Sequence, residues 1–169
     1  MIENIPVFKP LIQDDEIEAA TKSLRQGWLG MGRSVGDFEE ALKQALGAKE
    51  KHVVALGTGH AALHLGLMLA GVGAGDEVIT PSFNNIADLQ AILAVGAKPV
   101  FCDIDVDTLC IDLTQAETLI GPKSKAIIVM DYGCMLSDHD RVKKLADKYS
   151  LRVIHDAAHS LGSKYKGRP

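Results

Sequence analysis

From residue 52 onward the sequence alternates short apolar runs with longer segments of helical periodicity, and few folds accept that alternation. The predicted strands are His52–Leu56, Glu77–Thr80, Pro99–Asp103, Lys125–Met130 and Leu151–His155. The predicted helices between them are Gly59–Ala70, Asn84–Val95, Leu113–Ile120 and Asp138–Tyr149. The strands are continuous apolar runs, which is typical of strands buried on both faces. We therefore predict an α/β fold of three layers, a mainly parallel sheet with helices on both faces.

The first fifty residues follow a different pattern, with no apolar run of strand length. One helix is predicted over Gln13–Gln26, and a second runs up to Gly47 after the glycine-bearing loop Trp28–Arg33. We predict two parts, a helical arm over residues 1–50 and a larger sheet domain over residues 51–169.

Composition excludes several classes of protein. The chain has 47% hydrophobic and 24% charged residues with a net charge of −4, which is ordinary for a globular protein and gives no basic surface for nucleic acid. Its three cysteines lack the spacing of a disulfide framework or a zinc site. No run is long enough to span a bilayer, and no secretory leader is recognisable. We expect a cytoplasmic protein without a membrane partner.

The segment Leu151–Ser160 has potentially functional side chains at the end of a predicted strand. Asp156 and His159 follow the apolar run, and ligands of open α/β sheets bind at the carboxyl ends of strands. A carboxylate among small apolar neighbours needs a partner, such as a pyridinium or an arginine. A helix N-cap is the alternative role for Asp156, and the residue by itself leaves both open.

Two further patterns each have a functional and a structural interpretation. The segment Gly57–Leu63 opens a helix after a strand, so it predicts either an anion site or a glycine turn capped by Thr58. The pairs His60/His64 and His155/His159 have the spacing of metal ligands on a helix, but packing or solvent exposure explains them as well. We assign no metal site from this spacing.

Several motifs in order resemble those of one family, the DegT/DnrJ/StrS sugar aminotransferases. The segments that carry the resemblance are Gly27-Trp-Leu-Gly30, Gly75-Asp-Glu-Val-Ile-Thr-Pro-Ser82, Gly96-Ala-Lys-Pro-Val-Phe101, Asp156-Ala-Ala-His159 and Tyr165-Lys-Gly167. The resemblance implies an incomplete large domain of the aspartate-aminotransferase fold and pyridoxal phosphate as cofactor. It also implies transfer of an amino group from glutamate to a keto sugar, expected to be nucleotide-linked, by a homodimer.

The resemblance also implies which residues contact the cofactor. Gly59, His60 and Ala61 match the segment that holds the cofactor phosphate, with His60 in place of a threonine. Asn85 stands where the family has an aromatic residue that stacks on the pyridine ring. Phe83, two residues earlier, is expected to point elsewhere.

The same resemblance assigns the strand ends. Asp156 matches the acid that pairs with the pyridine nitrogen, and His159 matches a contact near the phenolic oxygen. Asp131 takes a place commonly held by His or Asp. His155 replaces a usual Glu, and we interpret it as a bystander.

The Schiff-base lysine of the family is expected beyond Pro169. Lys164 and Lys166 do not match its position and are predicted to lie on a solvated hairpin or tail. We expect this chain alone to be inactive as the N-terminal portion of such an enzyme. Two alternatives stay open: an inactive binding or regulatory module of the same fold, and a pyridoxal-phosphate-dependent sugar dehydratase with His in place of the lysine.

Overall fold

The computed structural model describes residues 9–47 and 50–168. The chain divides into two compact units, residues 1–55 and residues 56–169. The sequence pattern predicts a division after residue 50, five residues earlier. No helix within the described ranges is both long enough and apolar enough to cross a membrane.

The first unit contains the two predicted helices, α1 (Asp14–Gln26) and α2 (Arg33–Ala45). Helix α1 begins where the Glu16 carboxylate accepts the Gln13 N–H at 2.7 Å, and it ends at Gly27 with φ of 71°. Glycine reaches that left-handed conformation at little cost. Neither helix buries a residue, although both have an apolar face. Amphipathic periodicity therefore predicts the helices correctly even where the described chain leaves their apolar faces exposed.

A four-stranded parallel sheet organises the second unit, as predicted. Its strands are β1 (Glu77–Pro81), β2 (Lys98–Cys102), β3 (Ser124–Met130) and β4 (Arg152–Asp156). Their spatial order is β2-β1-β3-β4, and every neighbouring pair is parallel. The carboxyl ends of β3 and β4 are level, because Met130 is paired with Asp156.

Four helices connect the strands: α3 (Gly59–Leu69), α4 (Ile86–Ala94), α5 (Leu113–Leu119) and α6 (His139–Tyr149). One apolar core joins α3 and α4 to the sheet, and a second joins α5 and α6 to the sheet. The three-layer prediction is confirmed.

The central strand β3 shows why its apolar run is continuous. Ala126 and Ile128 belong to one core and Ile127 and Val129 to the other, and all four are fully buried. Successive side chains of a strand point to opposite faces, so a strand covered on both faces needs apolar residues throughout. Truncating a buried isoleucine such as Ile128 to alanine would cost about 2–5 kcal/mol of stability.

The predicted strand at His52–Leu56 is wrong. The segment has no strand partner among the described residues, and the side chains of Val54 and Leu56 are 61% and 42% exposed. The N–H of Ala55 is bonded instead to the Glu39 carboxylate at 2.7 Å. An apolar run becomes a strand only where a neighbouring backbone takes its hydrogen bonds, and local sequence does not supply that neighbour.

Candidate functional site

A cavity of about 530 Å³ opens at the carboxyl ends of β3 and β4. Its lining comes from the start of α3, the start of α4 and the ends of the two strands: Gly59, His60, Ala62, Leu63, Asn85, Ala87, Met130, Ile154, His155, Asp156, Ala157, Ala158 and His159. Parallel strands bring their carboxyl ends to one edge, and this edge is where open α/β sheets bind ligands. The cavity is therefore the leading candidate for a functional site in the described part of the chain.

The amino end of α3 forms one wall. Thr58 caps the helix, since its hydroxyl accepts the Ala61 N–H at 3.1 Å and its carbonyl accepts the Ala62 N–H at 3.2 Å. The N–H groups of Gly59 and His60 precede any possible acceptor within the helix, and both residues line the cavity. The predicted cap at Thr58 is therefore confirmed, and it leaves these two N–H groups without an acceptor inside the helix.

Ala61 has a different place from its two neighbours. It does not line the cavity, and its N–H is bonded to Thr58. At this helix end, Gly59 and His60 are the lining residues whose N–H groups have no acceptor inside the helix, and the positive end of the helix dipole favours an anion there.

Asp156 supplies a carboxylate to the opposite wall. It is the last residue of β4, it is half-buried, and its Oδ1 accepts the Ala158 N–H at 3.0 Å. The residues after it form turns rather than a helix, so the N-cap alternative is wrong. A half-buried carboxylate with one oxygen bonded can offer the other oxygen to a cationic group in the cavity.

His159 connects the loops that follow β3 and β4. Its Nδ1 accepts the Gly133 N–H at 3.2 Å, and its carbonyl accepts the Cys134 thiol at 2.8 Å. Its ring meets the Tyr132 ring edge-on at a centroid distance of 5.5 Å. These contacts orient the imidazole at the rim of the cavity.

Asn85 lines the cavity but is already engaged in capping α4. Its Oδ1 accepts the Ala87 N–H at 2.9 Å, and its own N–H is bonded to the Asn84 side chain at 2.7 Å. Phe83 does not line the cavity and packs against Tyr132, with ring centroids 4.7 Å apart. The expectation that Phe83 points elsewhere is confirmed. Among the described residues, no Phe, Tyr or Trp ring lines the cavity.

Asp131 lies outside the cavity lining and is fully buried directly after β3. Its Oδ1 accepts the Ser137 N–H at 2.9 Å, and its Oδ2 accepts the Ser160 hydroxyl at 2.8 Å. Burial would raise the pKa of this carboxyl, but the bonds from Ser137, Ser160 and His155 outweigh burial and lower it. Asp131 is thus held as a carboxylate.

The interpretation of His155 as a bystander is wrong. Its Nε2 lies 2.7 Å from Oδ2 of Asp131, and the residue also lines the cavity. A second imidazole, that of His139, approaches the other oxygen of Asp131 at 3.3 Å. Sequence reasoning missed His139, and it could not place His155 because the pairing of Val129 with His155 sets that contact.

Asp88 is a second buried acid that sequence reasoning missed. The Asn84 amide donates to its Oδ2, whereas its Oδ1 has no partner among the described residues. Burial, and then the negative charge of Asp156, raise the pKa of Asp88 to about 6. A sequence signal exists, since Asp88 is the charged residue among the buried positions of an otherwise apolar helix face, with Ala91 and Ile92.

The chain is similar to proteins of a known family. Residues 10–169 match the model of the DegT/DnrJ/EryC1/StrS aminotransferase family. This chain belongs to that family. The resemblance seen in the motifs and the expected fold, part of the aspartate-aminotransferase large domain, are both confirmed.

Among curated relatives, the chain is 40% identical over 167 residues to UDP-4-amino-4-deoxy-L-arabinose–oxoglutarate aminotransferase of Shewanella sediminis (strain HAW-EB3). The match covers 99% of this chain and 42% of that protein, so the chain spans less than half of the relative's length.

Solved structures of family members agree with this coverage. The aminotransferase TlmJ from Streptoalloteichus hindustanus superposes with a TM-score of 0.92 at 34% identity, covering 98% of this chain and 45% of TlmJ. The sugar aminotransferase Spr1654 from Streptococcus pneumoniae, described as putative and solved in its PLP form, gives 0.91 at 34% identity, covering 99% and 46%. Structural neighbours thus include pyridoxal phosphate (PLP) complexes.

Of the two lysines near residue 169, Lys166 lies in a short hairpin and Lys164 directly precedes it. Tyr165 and Arg168 form an antiparallel bridge, with Lys166 and Gly167 in the turn between them. Lys166 is bonded to the Asp140 carboxylate, and this bond raises the pKa of the lysine. The predicted hairpin or tail is thus a hairpin at Lys166, and neither Lys164 nor Lys166 lines the cavity.

Proposed function

We propose that this chain forms the N-terminal part of a PLP-dependent aminotransferase that acts on a keto sugar, with glutamate as amino donor and a nucleotide-linked sugar as acceptor. The support is membership of the family and the name of the Shewanella relative, which includes a UDP sugar and oxoglutarate. The whole protein is proposed to be a cytoplasmic homodimer.

One observation carries the proposal: a single cavity places free helix donors and a carboxylate on its walls. The N–H groups of Gly59 and His60 suit the phosphate of the cofactor, and Asp156 suits its pyridine nitrogen. When bound, PLP supplies an electron sink, and a carboxylate at Asp156 would keep the ring nitrogen protonated and strengthen that sink. His159 would then contact the cofactor at the rim.

Two residues of the cavity weaken the expected fit. Asn85 stands where the family has an aromatic ring that stacks on the cofactor, and its side-chain amide already caps α4. His60 stands where the family has a threonine, so the threonine hydroxyl is missing. A His60 ring nitrogen can donate to phosphate in place of that hydroxyl, but no contact in the lining replaces the stacking of a Phe, Tyr or Trp. The absent ring is the observation that favours the alternative function, a binding or regulatory module that has lost the chemistry.

A binding experiment tests the cofactor site in this chain. We expect PLP to bind in equilibrium dialysis, and Asp156→Asn to weaken binding about 10- to 100-fold, because a charge-assisted bond contributes about 1.5–3 kcal/mol. Pyridoxal, which lacks the phosphate, should also bind less tightly. Asp147→Asn, on the exposed side of α6, is the matched control and should bind PLP like the parent. Equal binding by the Asp156 variant would contradict the assignment.

The reaction is tested on the protein translated from the whole reading frame. We expect oxoglutarate to form from glutamate in the presence of a nucleotide-linked keto sugar, and Asp156→Asn to abolish it. Loss of water from the sugar without oxoglutarate would indicate the dehydratase alternative. Cofactor binding without either reaction would indicate the module.

A further inference from the structure

Three potential metal ligands from three elements meet behind the cavity. Asp131 follows β3, His139 is the first residue of α6, and His155 lies in β4. One ligand atom of each lies within 4.8 Å of the others. The two imidazoles approach different oxygens of the carboxylate, and their ring centroids are 4.6 Å apart.

The surroundings hold these side chains in place. The Ser137 N–H and the Ser160 hydroxyl bond the two oxygens of Asp131 from the protein side. The Tyr165 ring packs edge-on against His139 at a centroid distance of 5.1 Å. Outer contacts of this kind orient the ligands of metal sites, where hydrogen-bonded carboxylates and fixed imidazoles are the rule.

The cluster is also open to solvent on its imidazole side. The side chains of His139 and His155 are 25% and 39% exposed, whereas that of Asp131 is 1% exposed. A metal ion could therefore enter between the imidazoles and keep a water as its fourth ligand. Two imidazoles with one carboxylate and an open position is a donor set that binds Zn²⁺.

We propose that Asp131, His139 and His155 form a binding site for a divalent transition metal such as Zn²⁺. This site is separate from the histidine pairs considered from spacing, since of those four residues only His155 takes part. It also does not depend on the proposed aminotransferase function.

The three ligand atoms must move closer together to bind one ion. Tetrahedral ligands about 2.0–2.2 Å from zinc lie roughly 3.3 Å from one another. The imidazole nitrogens lie 3.3 Å and 2.7 Å from different oxygens of Asp131, and the three ligand atoms lie within 4.8 Å of one another. Rotation of the two partly exposed imidazoles toward one oxygen of Asp131 would bring the set to the spacing of tetrahedral ligands. The metal would bind at Nε2 of His155 and His139, and each neutral imidazole would then carry its one proton on Nδ1.

Metal uptake by the full chain tests the proposal. After treatment with a chelator and desalting, the protein is titrated with Zn²⁺ by calorimetry and with Co²⁺ by visible absorbance. We expect one equivalent to bind, and we expect the Co²⁺ spectrum to lack thiolate charge-transfer absorption. His139→Gln and His155→Gln should each weaken Zn²⁺ binding at least tenfold, and the double variant should abolish it.

Two control variants separate this site from other donors. His52→Gln, at an exposed histidine outside the cluster, and Cys134→Ser, at the exposed cysteine, should bind Zn²⁺ like the parent. Circular dichroism establishes that each variant is folded. Zinc should also raise the Tm of the parent but not that of the double variant. Absence of stoichiometric uptake by the parent, or uptake that depends on Cys134 instead of the two histidines, would overturn the proposal.

Discussion

Two fully buried aspartates near the same end of the sheet have opposite pKa shifts. The region after β3 surrounds Asp131 with two hydrogen-bond donors and two imidazoles, and the pKa of Asp131 is lowered. The start of α4 gives Asp88 one amide donor and leaves one oxygen without a partner, and its pKa is raised to about 6. Burial is common to both, so the partners decide the direction of the pKa shift.

The position of Asp88 makes this contrast stronger. It lies in the first turn of α4, where the helix dipole stabilises a negative charge by about 0.3–1 kcal/mol. Its pKa is nevertheless raised, because burial and the nearby Asp156 carboxylate outweigh the dipole. A buried acid without enough donors thus has a raised pKa even at a favourable helix end.

The largest expected effect follows from removing the charge at Asp131. In Asp131→Asn, one carboxylate oxygen becomes an NH₂ group that cannot accept from Ser137 or Ser160. We expect the free energy of unfolding to fall by about 3–5 kcal/mol, as when one partner of a buried ionic network is lost. Urea unfolding of the full chain measures this, with the exposed Asp147→Asn as control. A decrease in the free energy of unfolding of less than about 1 kcal/mol would show that the partners of Asp131 do not stabilise its charge, and the contrast with Asp88 would not hold.

The opposite change is expected at Asp88. The folded-state pKa of Asp88 is about 6, above the ordinary value of 3.8. Its contribution to the free energy of unfolding is therefore fully present below about pH 4 and is lost as the pH rises through 6. Asp88→Asn removes this dependence and keeps an acceptor for Asn84. At pH 8 we expect the variant to be more stable than the parent by about 1–3 kcal/mol.

Chemical unfolding of the Asp88 pair at pH 4 and at pH 8 checks the sign. Near pH 4 the two proteins should differ little, and the gap should open between pH 4 and pH 6. A variant that is less stable than the parent at pH 8 would show that the Asp88 carboxylate has partners that stabilise its charge.

The smallest effect concerns a buried polar group that carries no charge. Thr80 in β1 is fully buried, and its hydroxyl has no partner among the described residues. Thr80→Val replaces that hydroxyl with a methyl of similar shape, so we expect stability to stay equal or rise by up to about 1 kcal/mol. Thermal unfolding should give an equal or higher Tm. A clear loss of stability would indicate that the Thr80 hydroxyl has a hydrogen-bond partner. Thr80 and Asp88 would then not share a buried polar atom without a partner.

Sequence reasoning reached the parts of the site that depend on one stretch of chain. The capped start of α3 and the carboxylate at the end of β4 follow from local patterns, because a helix end and a strand end each carry their own signals. The contacts of His155 with Asp131 are different, since these residues are 24 positions apart and meet through the register of β3 with β4. His139 reaches the same carboxylate only after a turn that local patterns do not specify.

The sequence by itself determined the helices, the parallel sheet and the placing of Asp156 at a strand end, because periodicity and residue type act over a few neighbouring residues. Tertiary structure alone decided that residues 52–56 have no strand partner in the described part of the chain, that the pKa of Asp131 is lowered and that the pKa of Asp88 is raised. Those outcomes depend on which groups pack against a residue from elsewhere in the chain. Hydrogen bonding and desolvation act through those contacts, and they are set only once the strands are in register.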